Sequence, residues 1–125
     1  MSADTTPSNS GPGYARAPDH TLVLEPAGRT CTATLNGVVI ASSDTALFVR
    51  EGNYDPVLYF PPQDVRLDLA AKTDHSTYCP FKGDASYWSF EGAENIAWGY
   101  ETPYDEMIEI KGYVAFYSDR LDSLT

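Results

Sequence analysis

The sequence has few basic residues and no concentrated positive patch. Its 125 residues include 8 Lys and Arg against 18 Asp and Glu, which gives a formal net charge of −10 at pH 7. A chain this acidic repels phosphate backbones and anionic lipid surfaces unless its basic side chains cluster, and here they are scattered singly along the chain. We therefore expect neither nucleic acid nor a membrane among its partners.

Long apolar runs and export signals are also missing. No stretch approaches the roughly 18 to 20 consecutive apolar residues that a membrane-spanning helix needs. The first twenty residues lack the basic start, apolar middle and small-residue cleavage site of a secretion signal. These absences predict a soluble, cytoplasmic protein. Because the cytosol keeps thiols reduced, Cys31 and Cys79 are expected to be free rather than bridged.

Length and composition predict a single domain. The chain is 42% hydrophobic and 13% aromatic, enough to pack one core. Residues 1–20 are rich in Ser, Thr, Pro and Gly, a composition that predicts a disordered leader, whereas residues 21–125 are expected to form a β-rich domain. The sequence leaves the oligomeric state open.

Turn signals recur between β-branched and aromatic runs, which predicts a mainly β domain of antiparallel strands with one or two short helices. The clearest turn is Asn36-Gly37, since both residues tolerate the positive φ of a type I′ hairpin. Pairing Leu35 with Val38 places Cys31 opposite Ser42 and on the buried face. Further strands are predicted over 46–51, 56–60, 85–90, 94–100 and 112–117, and short helical turns over 63–69 and 105–111.

The segment 74–88, DHSTYCPFKGDASYW, gathers the side chains best suited to chemistry. His75 changes charge near neutral pH and suits a general acid or base, with Asp74 to orient it. The alternative is that His75 only shapes the loop through a hydrogen bond. Cys79 is either a nucleophile or a structural thiol, and Pro80 favours the second because it holds Cys79 extended. Asp74, His75 and Cys79 supply at most three ligands, so neither a metal nor a cofactor is predicted.

Ligand-binding candidates lie in and around the same segment. Lys82 precedes a Gly-Asp turn and is expected to be free at its tip, where it can attract a carboxylate or phosphate. Tyr and Trp side chains combine a large apolar body with a polar tip, and those expected to line a pocket are Tyr59, Tyr87, Trp98 and Tyr104.

Two functions fit these residues. The first is a small-molecule pocket, suited to an anionic ligand, with acid/base chemistry at the 74–88 loop as an extension. The second is a non-catalytic binding or protein-interaction module, in which the same segment is a structural hairpin. The sequence leaves both open, and it does not decide whether the protein is an enzyme.

The motifs YFP (59–61), DVRLDL (64–69), TDHSTYCPFKGDASYW (73–88), AWGY (97–100) and GYVAFYSDRLD (112–122) together resemble a small bacterial and fungal family called domain of unknown function 427. The resemblance covers about residues 20 to 122. It implies a compact, mostly β fold similar in architecture to the Mss4-like folds, which are partly open barrels or sandwiches. The zinc-binding cysteines of Mss4 are absent here, so the resemblance does not imply the metal.

The same family also carries the label nucleotidyltransferase-like. Nucleotidyl transfer relies on closely placed carboxylates that hold divalent metal ions against a triphosphate. No two acidic residues of this chain stand two positions apart, and no Gly-Ser loop leads into such a pair. We therefore do not expect that activity.

Overall fold

The strands of the computed structural model, which describes residues 9–125, form three antiparallel sheets. The strands are β1 Leu22–Pro26, β2 Cys31–Leu35, β3 Val38–Ser43, β4 Leu47–Glu51, β5 Val57–Tyr59, β6 Ala70–Cys79, β7 Gly83–Phe90, β8 Ala93–Gly99, β9 Val114–Phe116 and β10 Ser123–Leu124. The strand orders in the three sheets are β1-β4-β5, β10-β2-β3 and β6-β7-β8-β9. The prediction of a mainly β, single domain is confirmed.

Helices are short. The α-helix α1 covers Pro12–Arg16, and 3-10 segments cover Pro62–Asp64, Leu67–Leu69, Asp105–Ile110 and Ser118–Arg120. The helical turns predicted over 63–69 and 105–111 are thus confirmed. None of the helices between residues 9 and 125 has the length and apolar character that crossing a membrane requires.

One bridge joins two of the sheets. Phe60, directly after β5, exchanges both backbone hydrogen bonds with Val114 of β9, each at 2.8 Å. The β1-β4-β5 sheet therefore continues into the β9-β8-β7-β6 sheet. The β10-β2-β3 sheet is completed by β10, whose residues pair with Thr34 and Ala33 of β2.

The joined sheets bury a different core on each face, because successive strand residues point to opposite sides. One core gathers Tyr59, Tyr87, Tyr100 and Met107, with Cys79 and Trp98 packed against it. The other gathers Cys31, Phe60, Phe90 and Phe116 between the joined sheets and the β10-β2-β3 sheet, with Trp88 packed against it. Tyr87 and Trp88, which are neighbours on β7, therefore face opposite sides.

The Asn36-Gly37 hairpin is confirmed, with φ of 52° and 78° at the two turn residues. Leu35 pairs with Val38 as predicted, but an irregularity between Ala33 and Thr34 shifts the rest of the register by one residue. Cys31 therefore lies opposite Ser43, and the predicted pairing with Ser42 is wrong. Cys31 itself is fully buried, as expected for a core residue.

Residues 74–79, treated in the sequence as part of a loop, belong to the ten-residue strand β6. That interpretation was wrong because β6 is an edge strand that pairs only with β7 and is exposed along most of its length. Its polar sequence therefore lacks the alternation of apolar residues that marks a half-buried strand. Only Pro80 to Lys82 form the turn between β6 and β7.

The predicted leader, residues 1–20, falls partly on residues 1–8, which lie outside the described residues. Residues 9–20, here called the N-terminal segment, pack on the β6–β7 turn. The Gly13 N–H donates to the Pro80 carbonyl at 3.0 Å, and the Tyr14 hydroxyl donates to the Phe81 carbonyl at 2.9 Å. A Cβ atom at Gly13 would lie 2.7 Å from the Phe81 ring, so glycine permits this close approach.

Candidate functional site

Five aromatic side chains form a continuous row on one face of the joined sheets. The His75 and Tyr87 rings have centroids 4.4 Å apart, and Tyr87 pairs across the sheet with Trp98. The Trp98 ring lies 4.6 Å from that of Tyr117 and 6.5 Å from that of Tyr59. This aromatic row brings together four of the residues predicted from the sequence, and it adds Tyr117.

The His75 end of the row depends on an irregular stretch of β6. Lys72 pairs with Trp88 and Ser76 with Ser86, so residues 73–75 all lie opposite Tyr87. Such a bulge redirects side chains, and it sets the His75 ring against Tyr87. The His75 ring is exposed, while the Tyr87 hydroxyl is 2.9 Å from Thr77 Oγ1.

The three predicted catalytic residues do not converge. Asp74 and His75 line one shallow cavity of about 310 Å³, yet among residues 9–125 no hydrogen bond joins their side chains. Cys79 lies four strand residues beyond His75, which separates them by roughly 13 Å at 3.3 Å per residue. That is too far for direct proton transfer between a nucleophile and its base. The catalytic roles of Asp74, His75 and Cys79 stay predictions.

At its other end the aromatic row opens into a larger, half-open cavity of about 420 Å³. Trp98 and Tyr117 form part of its wall, together with Phe48 and Phe116. The charged lining residues are Arg29, Asp55 and Asp119, and the remaining ones are Pro56, Val57, Leu58, Ser118 and Leu124. We call this the Trp98–Tyr117 cavity. Of its residues the sequence indicated Trp98 alone, because the others come from separate strands, loops and a 3-10 segment that are distant in the chain.

The phenol groups of Tyr59 and Tyr117 are uncharged at neutral pH. Burial raises the pKa of Tyr59 far above its ordinary value, and a hydrogen bond with Trp98 opposes only part of that rise. Burial also raises the pKa of Tyr117, with the Tyr87 hydroxyl as the second cause. The row therefore offers apolar ring faces and neutral hydroxyls beside the charged groups of the cavity.

Lys82 lies elsewhere and is not free at the tip of its turn, so that prediction is wrong. Its ammonium is 2.6 Å from Glu51 Oε1, and its side chain is only 10% exposed. Glu51 Oε2 is in turn 2.9 Å from His20 Nε2. The His20 ring stacks on Phe81 with centroids 4.2 Å apart. We call these three residues the Lys82–Glu51–His20 cluster.

The electrostatics of this cluster favour the charged form of Glu51. Burial alone would raise the pKa of Glu51, but the hydrogen bond and charge of Lys82, followed by those of His20, lower it below 4.5. The positive charge of Lys82 is therefore already partnered. Its predicted role as an anion anchor would require Glu51 to be displaced, and that role stays a prediction.

Tyr104 is the remaining predicted ligand residue, and it lies apart from the aromatic row. Its hydroxyl is 2.7 Å from that of Tyr78, a bond that raises the pKa of Tyr104 to about 12. Its backbone N–H donates to the Lys82 carbonyl at 3.0 Å. Tyr104 thus fixes the β6–β7 turn from outside.

Neither a disulfide nor a metal-binding group is formed among residues 9–125. Cys31 and Cys79 are free thiols, and Cys31 Sγ accepts a hydrogen bond from the Arg29 guanidinium at 3.3 Å. In the part of the chain that the structure describes, no three His, Cys, Asp or Glu side chains are placed to hold a metal ion.

Comparison with known proteins agrees with the motifs on which the site is built. No curated protein matches the chain. A family model described as Domain of unknown function (DUF427) matches residues 23–125, a range that includes every strand except the first residue of β1. The chain therefore belongs to the DUF427 family.

Proposed function

We propose that the protein binds a small molecule in the Trp98–Tyr117 cavity. The observation that carries the proposal is the cavity of about 420 Å³ at the end of the aromatic row. Its volume falls within the roughly 300 to 1,000 Å³ of typical ligand sites. Four aromatic side chains in its lining supply the apolar contact area that such sites use.

The packing of the row supports a preformed site. Trp98 is held between Tyr117 and Tyr59, and Tyr59 is only 2% exposed, so the indole has little freedom to leave its place. A wall that is ordered before binding loses little conformational entropy when the ligand arrives. The row thus favours a fixed recognition surface.

Binding without covalent chemistry fits the geometry better than catalysis. His75 stands at the far end of the aromatic row from the cavity, and its predicted partners Asp74 and Cys79 are not placed to assist it. The acidic charge of the chain and its composition support a cytoplasmic role with a small molecule, rather than one with nucleic acid or membrane.

A thermal-shift screen of metabolites tests the proposal. A ligand at about 100 times its Kd stabilises the native state by about 2.7 kcal/mol, which raises the Tm of a domain this size by roughly 8 to 13 °C. Tyr117→Ala removes a wall of the cavity at a side chain that is already 38% exposed, so the fold should tolerate it. Tyr54→Ala is the matched control, because Tyr54 is 74% exposed and does not line the cavity.

We expect compounds that raise the Tm of the wild type and of Tyr54→Ala but not of Tyr117→Ala. Hits that stabilise all three proteins equally would place the site elsewhere and refute the proposal. A screen in which no compound stabilises the wild type would also count against it.

The exposed edge of β6 favours a second candidate, a protein-interaction module. No strand within residues 9–125 pairs with the outer side of this ten-residue strand, so its backbone groups there are available, and Tyr78 on it is 56% exposed. Such an edge can receive an extended segment of a partner as an added strand. Hydrogen exchange at residues 76–79 would slow on addition of a cell lysate fraction that contains such a partner, and Thr77→Pro would abolish the effect. Unchanged exchange across all fractions would leave the small-molecule site as the better account.

A further inference from the structure

We infer that the ligand of the Trp98–Tyr117 cavity is an organic cation, an ammonium or trimethylammonium group held against ring faces with Asp55 and Asp119 as its counter-charges. This inference rests on the proposed function, since it names the chemical class that the same cavity binds. Three features of the lining carry it: the rings, the carboxylates and the placement of the one arginine.

The rings supply the first argument. Phe48, Trp98, Phe116 and Tyr117 line one cavity, and Trp98 and Tyr117 are inclined at 42° to each other. Ring faces carry negative electrostatic potential, and Trp attracts a cation more strongly than Tyr or Phe does. Several rings around one space are the arrangement with which proteins recognise quaternary ammonium groups.

The carboxylates supply the second argument. Asp55 and Asp119 both line the cavity, and among residues 9–125 neither has an Arg, Lys or His partner within 4 Å. With two carboxylates and one guanidinium the lining carries a net charge of −1, within a chain whose formal net charge is −10. Both the local and the overall charge therefore attract a cation and repel an anion.

Arg29 is the group that would favour an anion instead. One of its terminal nitrogens donates to the buried Cys31 Sγ at 3.3 Å, which directs part of the guanidinium toward β2. Its other N–H groups make no hydrogen bond to residues 9–125, so they can bind a polar substituent of the ligand, such as a hydroxyl. We therefore expect Arg29 to make a secondary polar contact with the ligand, and the test includes the variant Arg29→Gln.

The test uses three probes and the Trp98 indole N–H resonance of the ¹⁵N-labelled chain. The probes are choline, its uncharged isostere 3,3-dimethylbutan-1-ol, and benzoate. We expect choline to bind about 5 to 30 times more tightly than the isostere, the range that a cation–π contact of roughly 1 to 2 kcal/mol provides. Asp55→Asn/Asp119→Asn should weaken choline about tenfold and leave the isostere unchanged.

The matched control is Asp44→Asn/Glu109→Gln, which changes the net charge equally at two exposed positions outside this cavity. It should leave choline binding within about twofold, because neither side chain lines the cavity and exposed charges are screened by water and salt. Both double variants change exposed side chains only, so the fold is retained.

Two results would overturn the cation inference and leave cavity binding intact. One is equal binding of choline and the isostere. The other is tighter binding of benzoate that Arg29→Gln abolishes. If none of the three probes moves the Trp98 resonance, the cation inference fails, and the metabolite screen with Tyr117→Ala decides separately on the proposed function.

Discussion

Replacing Glu51 by glutamine would leave the Lys82 ammonium nearly buried and without a carboxylate. The Lys82 side chain is 10% exposed, and Glu51 is its one acidic partner within 4 Å in the described part of the chain. The glutamine amide keeps the shape and accepts a hydrogen bond, but it does not balance the charge. Lys82→Met makes the opposite change, and it leaves Glu51 with His20 as a remaining partner at 2.9 Å.

These differences set the expected magnitudes. Removing one partner of a fully buried ion pair costs about 3 to 5 kcal/mol, since the other charge stays desolvated. We expect about 3 kcal/mol for Glu51→Gln, because Lys82 has no second partner. For Lys82→Met we expect about 2 kcal/mol, since Glu51 is 25% exposed and keeps His20.

The assay is urea unfolding at pH 7 on the wild type, both single variants and the double variant, followed by tryptophan fluorescence. If Lys82 and Glu51 stabilise the fold mainly through their mutual interaction, the double variant loses only about 2 to 3 kcal/mol of unfolding free energy. That loss is well short of the sum of about 5 kcal/mol for the two single variants. Lys72 and Glu101, whose side chains are 53% and 46% exposed, form the control pair. Their coupling should stay below about 1 kcal/mol.

Two results would refute this reasoning. One is additivity within about 0.5 kcal/mol, which would mean that Lys82 and Glu51 do not depend on each other. The other is a larger cost for Lys82→Met than for Glu51→Gln, which would mean that the deeper burial of the ammonium does not decide the penalty.

Three further predictions concern pH, the N-terminal segment and the tyrosine pair. Folding lowers the pKa of Glu51, so the stability that its charge contributes is present above about pH 4.5 and is lost as the pH falls through the pKa of the folded state. When urea unfolding is repeated between about pH 5 and 3, Glu51→Gln should therefore lose less stability than the wild type. Gly13→Ala puts a Cβ atom 2.7 Å from Phe81 and should cost about 1 to 3 kcal/mol with faster amide exchange over residues 13–17. Gly28→Ala is strained by the φ of 73° at that residue but meets nothing within 4 Å, so it should leave the exchange of residues 13–17 unchanged. Tyr78→Phe removes the hydrogen bond that is the main cause of the raised pKa of Tyr104, about 12, so NMR titration of Tyr104 should give a lower value, and no change would contradict the assignment of that cause.

The fold could be predicted where the information is local. Asn36-Gly37 fixes a turn through its own φ preferences, and the strands around Tyr59 and Trp98 are rich in residues that suit a pleated surface. The register beyond Thr34 could not be predicted, because the irregularity there has no sequence signal of its own. Strand β6 was missed for a related reason, since an edge strand with water on both faces needs no apolar alternation.

The same distinction between local and long-range information applies to the candidate site. Tyr87, Trp98 and Tyr59 could be singled out because their chemistry is visible in one residue, and alternation then sets them on a shared face. The partners that decide what each group can do come from distant positions. Lys82 meets Glu51 across 31 residues, and His20 comes from a segment whose composition indicated disorder. No local sequence pattern indicates such pairings. For this reason Lys82 was expected to bind an anion, whereas it forms an ion pair with Glu51.

The Phe60–Val114 bridge has a consequence for synthesis on the ribosome. Residues 22–59 contain the whole β1-β4-β5 sheet and the β2–β3 hairpin, so these can pair while the rest of the chain is still being made. Their union with the β6–β9 sheet, and the pairing of β10 with β2, both wait for residues 114–124. Contacts between distant positions form late because the loop that joins them must first be closed. A nascent chain halted before residue 114 therefore leaves apolar sheet surface uncovered, where chaperones or other chains can bind, and release of the final strands ends that exposure.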